Sequence, residues 1–139
     1  MLVAEAVADE LRRTYITLPQ LADIVRVIAP DIPERTIRGW YEKGVLRAAS
    51  ARVGGLTFRA VEALRAFLVA RCQDVFRDAR SPLALEIARE VDDVTLALLA
   101  VDESPDPTVS VDLGRHRYQI GVGRAELDDV LRHIERVAC

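Results

Sequence analysis

Two arginines, Arg35 and Arg38, lie three residues apart in a short segment that also holds the single tryptophan of the chain. A guanidinium group donates several hydrogen bonds from one plane, which suits phosphate oxygens and the major-groove edge of guanine. On a helix, residues three apart share a face, and the opposite stripe would hold Ile37, Trp40 and Tyr41. This composition is typical of a DNA-recognition helix. A surface helix whose arginines are merely solvated has the same pattern.

The sequence supplies start and stop signals for this helix. We expect Asp31 to be the N-cap, with Pro33 in the first turn and Glu34 as the N3 partner of a capping box. Lys43 lies in the expected last turn, where the helix dipole favours a cation. Gly44 follows it and is expected to adopt the left-handed conformation that ends many helices.

A second helix precedes the first and is expected to pack beside it. Thr17 and Gln20 have the spacing of a capping box, and Pro30 marks the end of the helix. Its apolar face is made of Leu18, Leu21, Ala22, Val25 and Ile28. Two capped helices joined by about four residues predict a helix-turn-helix.

Three further elements are predicted around this helix pair. Residues 2–13 have helical spacing, and residues 47–55 form a small, basic segment with a turn signal at Gly54-Gly55. Thr57 is expected to cap a long helix over 58–79. The basic segment is where a wing would lie, although an ordinary connecting loop fits it as well.

The second half predicts a smaller α-β-β-β-α module. Ser81-Pro82 is expected to start a helix, and the apolar run 94–101 is expected to be a buried strand because of its β-branched residues. Residues 108–113 and 116–122 predict a hairpin that turns at Gly114-Arg115. A last helix follows Gly123. The expected fold class is therefore α+β, with domains at 1–80 and 81–139.

Length and composition set broad limits on the protein. With 139 residues, half of them hydrophobic, the chain allows one domain or two very small ones. No apolar run reaches the length of a membrane span, and the N-terminus is acidic where a secretory signal is basic, so we expect a cytoplasmic protein and no membrane partner. Cys72 and Cys139 have no metal-binding spacing and are expected to be reduced.

Charge is distributed unevenly along the chain. Residues 35–80 hold ten Arg and Lys against four Asp and Glu, whereas residues 81–139 hold six against twelve. The net charge of −3 therefore conceals a basic segment that suits a polyanion. The acidic second half is expected to serve dimerisation or to bind a protein partner.

The helix pair and the motif that follows it carry a family resemblance. The matching residues are Thr36-Ile37-Arg38, Trp40-Tyr41 and Lys43-Gly44-Val45-Leu46. With these residues, about residues 14–78 resemble the winged-helix DNA-binding domain of the mercury-resistance regulator (MerR) superfamily and of the related phage excisionases. The resemblance implies a winged helix-turn-helix that binds double-stranded DNA.

Site residues can be carried over from this resemblance by position. It implies that Arg35, Thr36 and Arg38 enter the major groove. It also implies that Arg47, Arg52 and Arg59 approach phosphates, and Lys43 completes the expected DNA-binding set. Three features depart from the family pattern: Gly39 replaces an aromatic residue, the wing lacks its usual aromatic start, and the acidic second half replaces the long dimerisation helix.

No arrangement of residues predicts catalysis. His116 and His133 lie on different expected elements, and neighbouring acids such as Asp92-Asp93 point in different directions on a helix. No nucleophile and base are paired by spacing, so we expect neither an enzyme nor a cofactor or metal. The sequence favours a DNA-binding transcription regulator that forms a homodimer. The alternative is a protein-interaction adaptor whose winged-helix scaffold no longer binds DNA, an interpretation favoured by Gly39 and Glu42 on the expected reading face.

Overall fold

The computed structural model describes residues 3–52, 55–76 and 82–138, in which seven helices and two small antiparallel sheets form a mixed α+β fold. The first half contains α1 (Val3–Arg13), β1 (Tyr15–Thr17), α2 (Leu18–Val25), α3 (Glu34–Glu42), β2 (Ala48–Arg52), β3 (Gly55–Arg59) and α4 (Val61–Phe76). The second half contains α5 (Pro82–Glu90), α6 (Asp93–Val101), β4 (Thr108–Leu113), β5 (His116–Gly121) and α7 (Arg124–Ala138). The expected α+β class is confirmed. In the part of the chain so described, no helix has the length and apolar character of a transmembrane span.

The start of α2 follows its local signals. The Thr17 hydroxyl accepts a hydrogen bond from the Gln20 N–H at 3.3 Å, and the Gln20 side chain accepts one from the Thr17 N–H at 2.8 Å. This reciprocal pair is the predicted capping box. Leu21 and Ala22 are fully buried, so the predicted apolar face is confirmed as far as Val25. The helix ends there and not at Pro30 as predicted, and Ile28 lies in the turn that follows.

The predicted capping box of α3 is wrong. Pro33 is the N-cap and makes no side-chain capping bond, and Glu34 is the first residue of the helix. The preceding residues belong instead to a turn, in which the Ile32 N–H donates to the Ala29 carbonyl at 3.1 Å. Arg26 fixes this turn, because its Nε donates to the Ile32 carbonyl at 3.1 Å.

The end of α3 is as predicted. Gly44 has φ +77°, and its N–H donates to the Tyr41 carbonyl at 3.0 Å. The Val45 N–H reaches back to the Trp40 carbonyl at 2.9 Å. These two bonds form a Schellman motif, in which a left-handed glycine lets the chain leave the helix with Val45 buried.

The three-stranded sheet has the order β1-β3-β2, with β3 in the centre. Thr57 pairs with Thr17 on one side and with Ser50 on the other, so it is a strand residue and not the predicted helix cap. Phe58 belongs to the same strand and is fully buried. The expected helix over 58–79 therefore begins only at Val61, and its expected end at 77–79, like Gly54, lies outside the described residues. Hydrogen bonds to β1, which is distant in sequence, and to the neighbouring strand β2 override the local helical signal.

The predicted strand over 94–101 is also wrong, because these residues belong to α6. Asp92 caps this helix and accepts a hydrogen bond from the Thr95 N–H at 2.7 Å. Leu96, Ala97 and Leu99 are buried, whereas Leu98 is half-exposed, as on a helix that packs on one side. The second half is therefore α-α-β-β-α; the capping expected of Ser81 lies outside the described residues.

The predicted hairpin is confirmed. β4 and β5 pair in antiparallel register from Thr108↔Gly121 to Leu113↔His116. Gly114 supplies the positive φ of the two-residue turn, at +61°. Val109, Val111 and Ile120 face the core, so one side of this hairpin is buried.

The core centres on α4, whose residues 61–70 are all buried. A single hydrophobic cluster contains residues from both halves, such as Leu21, Phe67, Leu96 and Leu127. In addition, α1 packs against α6, and α4 packs against α5. The expected boundary between residues 80 and 81 stays a prediction, and the two halves of the chain share one core.

Candidate nucleic-acid interface

The apolar inner stripe of α3 fixes which of its residues face outward. Ile37 and Trp40 are 0% and 3% exposed. Tyr41 is half-buried and meets the Phe58 ring edge-on, with centroids 6.1 Å apart and planes at 84°. This packing leaves Arg35 and Arg38 exposed on the opposite face. A rigid helix therefore presents both guanidinium groups to solvent.

Arg35 and Arg38 lie beside the start of α2 and the central strand. A recess of about 400 Å³ is lined by Glu34 and Arg38, by the segment 17–19 and by the segment 55–57. A smaller recess of about 150 Å³ is lined by Leu18, Glu34, Arg35 and Arg38. The structure thus brings Arg35 and Arg38 together at the junction of α2, α3 and β3.

Two carboxylates accompany Arg38. Glu42 Oε1 lies 3.9 Å from Arg38 Nε, and the two side chains are 65% and 56% exposed. A pair as exposed and as long as this one contributes at most about 1 kcal/mol. Glu34 lines both recesses with Arg38. These acids partly offset the positive charge of the outer face of α3.

Arg47 and Arg59 lie in a different recess. This recess, of about 290 Å³, is also lined by Arg12, Ala48, Val61, Glu62 and Asp93. The side chains of Arg47 and Arg59 are exposed, and nowhere in residues 3–52, 55–76 and 82–138 do they have a hydrogen-bond or ion-pair partner. We call it the arginine recess.

Strand β3 connects the two groups of arginines. Leu56 and Phe58 are buried, so Thr57 and Arg59 share the outward face of the strand. Residues two apart on a strand are separated by about 7 Å. Thr57 lines the recess of Arg38, and Arg59 lines the arginine recess, so the two sites are neighbours along one strand.

The remaining predicted DNA-binding residues lie in neither recess. Thr36 is half-buried in the first turn of α3. Lys43 is exposed at the C-cap, where its carbonyl accepts a hydrogen bond from Arg89 Nη2 at 2.9 Å. Arg52 pairs with Gly55 in the β2–β3 register, and its side chain lies outside the described part of the structure.

A buried ionic network was not predicted from the sequence. Arg65 is 4% exposed and donates to Glu62 Oε2 at 2.9 Å and to Asp93 Oδ1 at 2.9 Å. It also donates to the Ala88 carbonyl at 2.6 Å and to the Val91 carbonyl. The available signal was a Glu-Arg pair three residues apart within the otherwise apolar segment 61–70 of α4. Such a pair is retained in a core only when both charges are compensated.

The network continues to the arginine recess. Glu62 Oε1 accepts a hydrogen bond from the Arg47 N–H at 2.7 Å, and Asp93 Oδ2 accepts one from Arg12 Nε at 3.0 Å. The hydrogen bond to Asp93 raises the pKa of Arg12. All four oxygens of Glu62 and Asp93 therefore accept hydrogen bonds from this chain.

Other groups that could react are shielded or dispersed. Cys72 is fully buried, and burial raises the pKa of its thiol to about 12, so it stays protonated at neutral pH. Cys139 lies outside the described residues. Within those residues, no group of three or more His, Cys, Asp or Glu side chains could hold a metal ion.

The chain was compared with known proteins at the level of family, sequence and fold. No family model, curated protein or solved structure matches it. The resemblance to the MerR superfamily therefore stays a prediction from the motif at positions 36–46.

Proposed function

We propose that this chain is a sequence-specific DNA-binding transcription regulator with a winged helix-turn-helix of MerR or excisionase type in its first half. In this proposal α2 and α3 are the helix-turn-helix and the β2–β3 hairpin is the wing. One observation carries the proposal: Ile37 and Trp40 anchor α3 in the core while the side chains of Arg35 and Arg38 are exposed on its outer face. DNA-recognition helices likewise pack one face against the protein and expose the other to the DNA.

The dimensions of α3 suit a major groove. Nine residues give a helix of about 13 Å at 1.5 Å per residue. Arg35 and Arg38 lie in its N-terminal part, the part of a recognition helix that contacts base edges. We assign guanine recognition to these two arginines and a supporting contact to Thr36.

Phosphate contacts supply the affinity in this proposal. Arg47 and Arg59 are exposed and have no partner among the described side chains, so they are available to phosphate oxygens. Lys43 and Arg52 flank them in the chain. Each phosphate that is neutralised releases counterions, so binding weakens steeply with salt.

The second half is proposed to form a homodimer or to bind a protein partner. Its twelve acids against six arginines make it a poor DNA-binding surface. One recognition module of this size also rarely reaches high affinity for a specific site by itself. A sedimentation experiment that finds only monomer at micromolar concentration would count against the homodimer.

A second candidate function is a protein-interaction adaptor that does not bind DNA. It is favoured by the carboxylates of Glu34 and Glu42, which lie on either side of Arg38 along the helix. Phosphate is repelled by acids on a reading face. Retention on heparin at low salt separates the two candidates. A DNA-binding protein is retained on this polyanion, whereas an adaptor that no longer binds DNA elutes without retention.

The decisive experiment is selection of duplexes from a random DNA library by the full-length chain. Under the proposal, a short motif is enriched, and the Arg35→Gln/Arg38→Gln variant enriches none. The matched control is Arg115→Gln/Arg136→Gln, which removes two exposed arginines from the second half. If wild type enriches no motif and is not retained on heparin, the adaptor becomes the better assignment.

A further inference from the structure

We propose that the arginine recess binds a phosphate group through Arg12, Arg47 and Arg59. The recess lies where α1, β2, β3 and the start of α4 meet α6. No role in DNA binding was expected for Arg12. Through it α1 joins a site whose other residues come from the segment 47–62 and from Asp93.

The strongest argument is an excess of hydrogen-bond donors. Each oxygen of the two carboxylates that line the recess, Glu62 and Asp93, already accepts one hydrogen bond from this chain. The guanidinium groups of Arg47 and Arg59 form no hydrogen bond or ion pair with either carboxylate in the described part of the chain, so their donors line the recess without a protein acceptor. An external anion with several acceptor oxygens, such as phosphate, satisfies these donors.

The charge balance of the recess points the same way. Arg12, Arg47 and Arg59 line it, and Arg65 lies buried against both carboxylates. Four guanidinium groups against Glu62, Asp93 and Asp9, whose Oδ1 lies 3.1 Å from Arg12 Nη1, leave a net charge of about +1, which favours an anion.

A neighbouring recess provides space for the rest of a ligand. It measures about 540 Å³ and shares Arg12, Arg47 and Asp93 with the arginine recess. It is also lined by Arg65, Arg89 and Val91 and by the carboxylates of Glu90 and Asp92. A phosphate ester can therefore place its phosphate at the arginines and its substituent in the adjoining space. Two sources have this chemistry: a small phosphorylated molecule, or a backbone phosphate of DNA that follows β3 from the recess of Arg38. The DNA source rests on the proposed function, and the small-molecule source does not.

The site is tested by titrating the full-length chain with pyrophosphate in a calorimeter. We expect binding to the wild type and a rise in Kd of roughly tenfold or more in the Arg47→Gln/Arg59→Gln variant, since charge-assisted hydrogen bonds are lost. Both side chains are exposed and unpaired, so the variant should unfold at the same temperature as the wild type. The control variant Arg115→Gln/Arg136→Gln has the same net charge as Arg47→Gln/Arg59→Gln. It should bind pyrophosphate as tightly as the wild type does.

The two sources are separated by duplex DNA at the same ionic strength. If the Arg47→Gln/Arg59→Gln variant also loses duplex affinity and pyrophosphate competes with the duplex, the site holds a backbone phosphate. If duplex affinity is unchanged while pyrophosphate binding is lost, the site holds a free phosphate ester. If the wild type binds pyrophosphate but no duplex, the phosphate site is supported and the proposed DNA-binding function is refuted.

Two results would overturn the proposal. One is the absence of any pyrophosphate binding to the wild type. The other is an equal loss of binding in the two double variants, because the pyrophosphate would then be responding to net charge and not to this recess.

Discussion

Arg65 Nη2 lies 2.9 Å from Asp93 Oδ1, and this pair ties α4 in the first half of the chain to α6 in the second. The same guanidinium holds Glu62 and the carbonyls of Ala88 and Val91 at the end of α5. One buried side chain therefore fixes the end of α5, the start of α6 and the entry to β2. The candidate DNA surface and the acidic half are coupled through it.

Arg65→Met should destabilise the protein strongly. Glu62 is 3% exposed and would keep its charge in the core without its ionic partner, which typically costs about 3–5 kcal/mol. The free energy of unfolding in urea measures this loss. Arg132→Met is the matched control, because Arg132 pairs with Asp129 on an exposed face and should cost less than about 1 kcal/mol. If both variants lose the same amount, the buried network is not a major source of stability.

Arg38→Ala and Glu42→Gln should change DNA affinity in opposite directions. Loss of Arg38 should weaken binding to a selected duplex by roughly 1–3 kcal/mol. Removal of the Glu42 charge, whose Oε1 is 3.9 Å from Arg38 Nε, should strengthen it by up to about 1 kcal/mol. Fluorescence anisotropy measures both. An unchanged affinity in Arg38→Ala would refute the recognition-helix assignment.

Gly39→Ala and Gly44→Ala should have opposite effects on stability. A Cβ at either position would meet no atom within 4 Å, so backbone conformation decides the outcome. Gly39 lies inside α3, where alanine is favoured by up to about 1 kcal/mol. Gly44 has φ +77°, where a side chain costs roughly 1–2 kcal/mol. Thermal unfolding of the two variants gives the comparison, and a shift of the same sign in both would contradict it.

Asp92→Asn should make the free energy of unfolding depend less steeply on pH below neutrality. The hydrogen bonds from Thr95 lower the pKa of Asp92 below its usual range. A carboxylate with a lowered folded pKa stabilises the protein above its unfolded pKa, and this contribution disappears as pH falls through the folded value. Asparagine keeps the cap without titrating, whereas Asp92→Ala should lose about 1 kcal/mol at neutral pH. Urea unfolding from pH 6 to pH 3 measures the difference; an unaltered slope in Asp92→Asn would exclude Asp92 as its source.

Elements whose signals are local were predictable from the sequence. The Thr17–Gln20 capping box and the glycine exit at Gly44 each involve residues within five positions of one another. The Gly114 turn was predictable for the same reason, since a two-residue hairpin is encoded by its own residues.

Elements that depend on distant partners were not predictable. The expected N-cap at Asp31 fails because Arg26 holds the Ile32 carbonyl in the turn. Thr57 and Phe58 become strand residues because they pair with β1, some forty residues earlier, as well as with the adjacent β2. The strand predicted at 94–101 is wrong for a different reason: its β-branched residues favoured a strand, whereas the local cap at Asp92, visible in the sequence, starts a helix.

The candidate site also has one part that local sequence signals predict and one part that depends on distant contacts. The exposure of Arg35 and Arg38 follows from the helical period alone. The arginine recess does not, because Arg12, Arg47 and Arg59 meet only through packing between distant elements.

The packing of α1 against α6 also governs the order in which the protein can assemble. Arg12 and Asp93, which join these helices, are 81 residues apart in the chain. At a synthesis rate of ~5–20 residues per second, α1 is synthesised roughly 4–16 s before the start of α6. The surface of α1 that packs on α6 lacks its partner during that interval. A nascent chain that ended near residue 80 would therefore carry the complete candidate reading helix but would lack the helix against which its own N-terminus packs.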